Sequence, residues 1–171
     1  MLVKEDQEWK AKHWRICCSG YIINLVVQAF LFANMINIEE LESYDNKKQQ
    51  GDTRDKEAKR IKFRLMGPLG QMHNIVIHIR GSTAWITEFL KLASRMILLD
   101  NCTRWNSWYL MLVITLELWP AIEKYCQNHE SELEDDKLTL EDWRQLCTIK
   151  GFLEPFQSGT LYTKGDCATI D

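Results

Sequence analysis

Carboxylates are the side chains of this sequence with the greatest capacity for metal or acid–base chemistry, and half of them lie in two stretches. Residues 39–64 contain seven acidic and eight basic residues, and residues 130–136 contain five acidic residues. Two-metal phosphoryl transfer needs carboxylates that are held close enough to bridge two cations. Charge runs such as these are usually mobile, solvated surfaces. We therefore assign no catalytic residue to either stretch.

Histidine and cysteine do not form a recognisable metal motif. His73 and His78 are five residues apart, which puts them on different sides of a helix rather than at the metal-binding spacing i, i+4. We interpret both as ordinary core or surface histidines. The six cysteines contain no C-x-x-C pair, and Cys17 and Cys18 are adjacent, so neither a zinc framework nor a disulfide scaffold is predicted. We expect no metal or cofactor in this chain.

The aromatic stretch at residues 100–111, DNCTRWNSWYLM, could instead contact a ligand. In one interpretation Asp100, Asn101 or Thr103 caps a helix, and the aromatic residues form its core face, as helix-spaced aromatics usually do. In the other, Arg104 binds phosphate and Trp105 stacks on an unpaired base at a helix N-terminus, where backbone N–H groups already favour anions. Physical chemistry alone favours the core.

Helices are the elements that must position these residues. Apolar residues recur at i, i+3, i+4 and i+7 over residues 72–79, and again over 85–97. A third helix begins in the aromatic stretch and reaches Pro120, which kinks it or starts a new helix over 121–128. Thr139 and Asp142 resemble a capping box before a fourth helix that closes near Pro155.

The first part of the chain differs in composition from the second. Residues 15–18 could form a short strand, and residues 21–36 are apolar on nearly every side, as expected of a buried helix. This segment is too short and too polar to span a bilayer. Residues 39–64 predict a mixed-charge linker or a frayed helix without a core face. With a net charge of −3 and no signal peptide, the chain is expected to be soluble and intracellular.

Four segments resemble motifs of fungal hAT-superfamily DNA transposases, in the family's order over roughly residues 10–160. The segment DNCTRWNSWYLM is similar to the family's DNxTRWNSxYxML, and RICCSGYIINLVVQAFLF to RIRCxGHIxNLxxQAFLF. GPLGQMHNIVIHIRGS and LTLEDWRQLCTIKGFLEPF resemble two further motifs.

The resemblance implies a mainly α fragment of an RNase H-like transposase, with one short orphan strand near residues 15–18. Residues 1–38 would be a remnant of the RNase H-like core, residues 39–66 a charged linker, and residues 67–171 part of the helical insertion domain. An intact member uses an Asp-Asp-Glu triad with Mg or Mn. This chain is expected to lack all three triad positions, so whether it retains any enzyme activity is left open and no residue is assigned as catalytic.

The family's Cys-x-x-His motif is degenerate here. It stands as Cys18-Ser-Gly-Tyr21, and a tyrosine of pKa about 10 cannot replace a neutral imidazole. Arg104 and Trp105, by contrast, match the family's Arg-Trp pair, whose tryptophan is implicated in handling a flipped base. The resemblance therefore favours DNA contact for these two residues and leaves Trp108 and Tyr109 in the core.

The resulting expectation is a truncated nuclear transposase-like protein that at most contacts transposon DNA ends or transposase subunits, with self-association possible and no membrane partner. A helix as apolar as 21–36 would promote association unless the helices of residues 72–156 cover it. The alternative is a domesticated helical protein-interaction module without a DNA role.

Overall fold

Helices form along most of the described chain, and apolar spacing predicts most of them. The computed structural model describes residues 19–31, 53–99 and 105–164. Within these ranges the protein is helical and contains no strand, which confirms the mainly α prediction. The strand expected at residues 15–18 lies outside them. The helices are α1 (Ser19–Leu31), α2 (Thr53–Arg64), α3 (Pro68–Arg80), α4 (Thr83–Leu92), α5 (Trp105–Glu117), α6 (Trp119–Asn128), α7 (Glu130–Leu133) and α8 (Leu140–Lys164), with a 3₁₀ turn at Glu134–Asp136 between α7 and α8.

Helix α3 is the central element, and its ends follow local chemistry. Gly67 precedes it at φ 67°, a left-handed conformation that glycine adopts without strain, and Pro68 occupies the first turn, where its missing N–H is not needed. The predicted apolar face is confirmed, since its four members are at most 1% exposed: Met72, Ile75, Val76 and Ile79.

Helix α4 is shorter than predicted. It starts after Ser82, whose hydroxyl accepts a hydrogen bond from the Trp85 N–H, and it ends at Leu92 rather than near residue 97. The backbone becomes extended at Ala93. Ile97 is nevertheless fully buried, and its carbonyl accepts a hydrogen bond of 3.1 Å from Arg80. The apolar side chain of Ile97 is therefore buried in a non-helical segment and does not belong to a further turn of α4.

The two helix-disrupting prolines behave differently. Pro120 lies in the first turn of a new helix, α6, as one of the two interpretations predicted, although the helix begins one residue earlier at Trp119. Helix α8 instead continues through Pro155 to Lys164, so the predicted closure near Pro155 is wrong. Gly151, whose carbonyl loses its partner N–H, lies on an exposed part of the helix together with Pro155, so water can satisfy that carbonyl.

The N-terminus of α8 confirms the capping box. The Thr139 hydroxyl accepts a hydrogen bond of 3.2 Å from the Asp142 N–H. In return the Asp142 carboxylate accepts one of 2.7 Å from the Thr139 N–H. Two N–H groups that would otherwise lack partners are satisfied reciprocally, which fixes where the longest helix begins.

Part of the charged stretch is an ordered helix. Residues 53–64 form α2, which packs on α3. The Phe63 ring stacks on His73 with centroids 3.8 Å apart, and Met66 also packs against the core. The expectation that this stretch lacks a core face is therefore wrong for α2, because Phe63 at its end and Met66 just after it pack against the core. Residues 39–52 lie outside the described ranges.

One hydrophobic core joins the helices. Helix α8 packs on α1, α3 and α5, while α4 packs on α3 and α6. In the parts of the chain described here, no helix is long and apolar enough to cross a bilayer. The largest fully buried side chains of the core are Trp108, Trp143, Tyr125 and Phe89.

Candidate functional site

Trp105 lies at the contact between α1 and α5. It is the first residue of α5, and its backbone N–H donates a hydrogen bond of 3.2 Å to the side-chain oxygen of Asn24 on α1. Only 3% of Trp105 is exposed. Arg104 lies outside the described residues. The structure therefore places Trp105 in the core at a helix start, and DNA contact by Arg104 and Trp105 stays a prediction.

The neighbouring aromatic residues and the degenerate motif can be placed as well. Trp108 and Tyr109 are buried, which confirms their prediction as core residues. Tyr21 lies in the first turns of α1 and is half-exposed. Cys18 falls outside the described ranges, so the Cys18–Tyr21 motif stays a prediction.

Helix α1 carries apolar side chains on two sides. Val27 and Leu31 face the core and pack with α5 and α8. On the opposite side, which we call the α1 outer face, four large apolar side chains are 47–53% exposed: Tyr21, Ile22, Leu25 and Val26. Phe30 lies at the edge of this face, where its ring contacts that of Phe152 on α8 at a centroid distance of 4.3 Å. The helices of residues 72–156 thus cover only one side of α1, and the other side is a contiguous apolar surface of the kind that marks interaction sites.

Asp136 is the only acidic residue among the buried polar residues of the described ranges. Its carboxylate accepts hydrogen bonds from Arg60 (2.6 Å), Arg64 (2.8 Å) and Asn74 (2.8 Å). Burial acts to raise the pKa of Asp136, but these hydrogen bonds outweigh burial and lower it. The expectation that the 130–136 stretch is solvated is wrong here, because α2 and α3 supply donors that the local sequence does not show. With its oxygens engaged, Asp136 fastens elements together and does not act as an acid or base.

A cluster of two histidines and a carboxylate was missed by the sequence analysis. It consists of His78 on α3, His129 between α6 and α7, and Glu132 on α7, and we call it the histidine–carboxylate cluster. One Glu132 oxygen lies 2.9 Å from His129 Nδ1 and 3.5 Å from His78 Nε2. The i, i+3 spacing of His129 and Glu132 could have indicated that these two side chains lie close together. No sequence pattern indicates that His78 joins them, because it is about 50 residues away in the chain.

The outer nitrogen of each histidine has its own partner. His78 Nδ1 is 3.0 Å from the Tyr125 hydroxyl, and His129 Nε2 is 3.0 Å from a Glu88 oxygen. The Trp85 ring stacks on His78 at a centroid distance of 4.1 Å. Both rings are thereby held with one nitrogen directed at Glu132.

The electrostatics of the two histidines differ. Burial, followed by the proximity of His129, lowers the pKa of His78. Burial also acts to lower the pKa of His129, but its hydrogen bonds to Glu132 and Glu88 outweigh burial and raise it. The hydrogen bond from His129 is the largest cause that lowers the pKa of Glu132. At neutral pH the arrangement offers a neutral buried imidazole and an ionised carboxylate side by side.

Cys126 does not provide a nucleophile. It lines a pocket together with Ile75, Ile122 and Trp143, and burial raises the pKa of its thiol to about 12. Because the thiolate is the reactive form, this cysteine is inert at neutral pH.

Comparison with known proteins agrees with an assembly of helices around one core. Residues 16–152 match the family described as the ZBED1 RNase-like helical domain. A putative transcriptional regulator, tpeD of Talaromyces stipitatus, is 28% identical over 145 residues, which cover 82% of this chain and 16% of the relative. No solved structure gives a significant match.

The family match extends over most of the chain, so the protein belongs to the ZBED1 RNase-like helical domain family. This family is related to the hAT group. The chain spans about one sixth of the length of the curated relative that it matches.

Proposed function

We propose that this chain is the helical assembly domain of a nuclear, hAT-type, transposase-derived protein, and that it acts by binding and not by catalysis. Family membership and the relative named a putative transcriptional regulator support a transposase-derived role. The ancestral role would be cut-and-paste DNA transposition. A domesticated descendant would have a regulatory role instead, as the name of the relative suggests.

The α1 outer face is the observation that carries the proposal. A helix that is apolar on two opposite sides normally lies between two layers, and α5 and α8 provide only one of them. Residues 19–31 contain no charged side chain, so this face suits an apolar partner and not a phosphate backbone. We assign an RNase H-like sheet of a hAT-type protein as its partner, in keeping with the motifs that the chain resembles.

The test mixes the chain with a purified RNase H-like core of a hAT transposase and measures complex formation by sedimentation velocity. The variant Leu25→Lys/Val26→Lys disrupts the α1 outer face, while Leu90→Lys changes a similarly exposed leucine on α4 and serves as the control. Wild type and the control should form the complex, and the outer-face variant should not. Equal binding by all three, or self-association of wild type without binding to the core, would contradict the proposal.

DNA-end contact through Arg104 and Trp105 is a second candidate function. It is supported by the position of Trp105 at the start of α5, since a helix N-terminus favours phosphate. The burial of Trp105 means that stacking on a base would require this side chain to move.

Hairpin DNA binding can distinguish the two candidates. Arg104→Ala removes a phosphate partner, and Trp105→Leu removes the aromatic face while keeping an apolar side chain. DNA contact predicts weaker binding of both variants and a steep loss of wild-type affinity with salt. Unchanged affinity of both variants would exclude these residues from the contact.

A further inference from the structure

We propose that the histidine–carboxylate cluster is a Zn²⁺ site in which His78 Nε2, His129 Nδ1 and a Glu132 oxygen bind the ion. The three residues come from α3, from the junction after α6, and from α7. One potential ligand atom of each lies within 4.8 Å of the other two. Two imidazole nitrogens and one carboxylate oxygen are a ligand set that suits zinc, and water would complete the tetrahedral coordination.

Two of the three distances between ligand atoms fit the ion closely, and the distance between the two histidine nitrogens is at most 4.8 Å. Ligand atoms about 2.0–2.1 Å from a tetrahedral zinc lie about 3.3–3.4 Å from one another. His78 Nε2 already lies 3.5 Å from the Glu132 oxygen. His129 Nδ1 lies 2.9 Å from the same oxygen, so replacing this hydrogen bond by two metal bonds requires a separation of only a few tenths of an ångström more. Glu132 is half-exposed, so its side chain can make this adjustment.

An unpartnered buried nitrogen is the second, independent observation. Only 8% of the His78 side chain is exposed, and its Nε2 has no hydrogen-bond partner. A buried polar atom without a partner is destabilising, because it has lost its hydrogen bonds to water. In the tautomer with the proton on Nδ1, the ring donates to the Tyr125 hydroxyl and Nε2 presents a lone pair towards Glu132. A cation at this position would give that lone pair a partner.

The groups around the cluster match the outer shell of a metal site. Histidines that bind metals usually donate their other ring N–H to a carboxylate or another oxygen, which fixes the ring orientation and increases ligand basicity. Here the Glu88 carboxylate is the oxygen partner of the other ring nitrogen of His129, and the Tyr125 hydroxyl is the oxygen partner of the other ring nitrogen of His78. Asn128 also donates to Glu88 and thereby fixes its carboxylate. The surroundings therefore preorganise both rings around one point.

The ion would act as a structural link. It would tie α3 to the junction of α6 and α7. Among the described residues of the cluster and its surroundings, His78 makes one hydrogen bond across this contact, to the Tyr125 hydroxyl, and its distance to Glu132 is 3.5 Å. Cys126 and Cys147 are free thiols and do not belong to the cluster, so a bound metal would have only nitrogen and oxygen ligands from these residues.

Zinc binding by the intact chain provides the test, measured by isothermal titration calorimetry under reducing conditions. Wild type should bind about one Zn²⁺. Glu132→Gln and His129→Gln should each weaken that binding by roughly 100-fold, and Glu88→Gln by about 10- to 100-fold. Glu130→Gln, an exposed substitution with the same charge change two residues from Glu132, should bind zinc as wild type does.

Cobalt provides a spectroscopic readout that separates this site from the cysteines. Co²⁺ at the cluster should show d–d absorption without a thiolate-to-metal charge-transfer band, and Glu132→Gln should lose it. Circular dichroism establishes that each variant is folded. The proposal is overturned by absence of zinc binding to wild type, by equal affinities of Glu132→Gln and Glu130→Gln, or by a charge-transfer band that shows thiolate ligands.

Discussion

The buried carboxylate of Asp136 illustrates how a single residue can fasten distant parts of the chain. It accepts hydrogen bonds from Arg60 and Arg64 on α2 and from Asn74 on α3. We expect Asp136→Asn to lower the free energy of unfolding by about 3 kcal/mol, because two partly buried arginines would lose their buried anionic partner. Urea denaturation measures the change. Asp135→Asn, at an exposed neighbour, should stay within about 0.5 kcal/mol of wild type.

The same residue makes stability depend on pH. Because the folded-state pKa of Asp136 is lowered, its contribution is present above the pKa of the unfolded state, about 3.9, and is lost as the pH falls through the lower folded-state pKa. The difference in unfolding free energy between wild type and Asp136→Asn should therefore be constant near neutrality and narrow below about pH 4. A difference that stays constant down to pH 2 would show that the Asp136 pKa is not lowered by folding.

At the residue scale, contacts between residues close in the sequence could be predicted, whereas contacts between residues far apart in the sequence could not. The reciprocal hydrogen bonds of Thr139 and Asp142 were predictable because three residues of helix determine their geometry. The partners of Asp136 lie more than 60 residues away along the chain. His78 and Glu132 are also brought together only by folding, and neither has a local motif that indicates the other.

At the element scale, two helical glycines make opposite predictions. A Cβ at Gly151 would meet nothing within 4 Å, so Gly151→Ala should stabilise α8 by about 1 kcal/mol through helix propensity. A Cβ at Gly70 would lie 1.7 Å from the Phe63 carbonyl oxygen, so Gly70→Ala should destabilise the contact of α2 with α3 by about 3 kcal/mol. Thermal unfolding of both variants provides the comparison. Similar shifts in the melting temperature would contradict the close approach at Gly70.

The elements themselves were predictable where periodicity was long and ended at clear signals. The apolar face of α3 and the start of α6 near Pro120 followed from spacing and proline chemistry. The end of α4 did not, because Ile97 continues the apolar spacing although the backbone has already become extended. The predicted end of α8 near Pro155 was wrong for a different reason. Proline removes one backbone hydrogen bond on an exposed face of the helix, and the packing of α8 outweighs that loss.

At the scale of the whole molecule, the core includes segments that are not helical. Ile97 is fully buried, whereas Leu98, its neighbour, is 48% exposed. We expect Ile97→Ala to cost about 2–5 kcal/mol in unfolding free energy through lost burial and a cavity. Leu98→Ala should change it by no more than about 0.5 kcal/mol. Chemical denaturation of the two variants tests this, and comparable losses would mean that the segment after α4 does not close the core.

The helical class of the whole molecule was predictable because it is a sum of local preferences, whereas the packing of the helices was not. Apolar spacing does not show that α8 contacts α1, α3 and α5. Similarly, the apolar composition of α1 predicted burial on all sides, but only the packed arrangement shows which side remains exposed. The candidate DNA residues came from the resemblance to known motifs, and their role depends on contacts outside this chain.

The packing of α1 on α8 also has a consequence during synthesis on the ribosome. Val27 and Leu31 are translated more than 100 residues before α8 is complete. At about 5–20 residues per second, the 133 residues that follow Leu31 up to Lys164 take on the order of 7–27 s. Throughout this interval, the core-facing side of α1 lacks the cover that α8 provides, while the α1 outer face is exposed as well. The emerging chain therefore passes through a stage that favours engagement by chaperones, and native docking of its first described helix depends on its last.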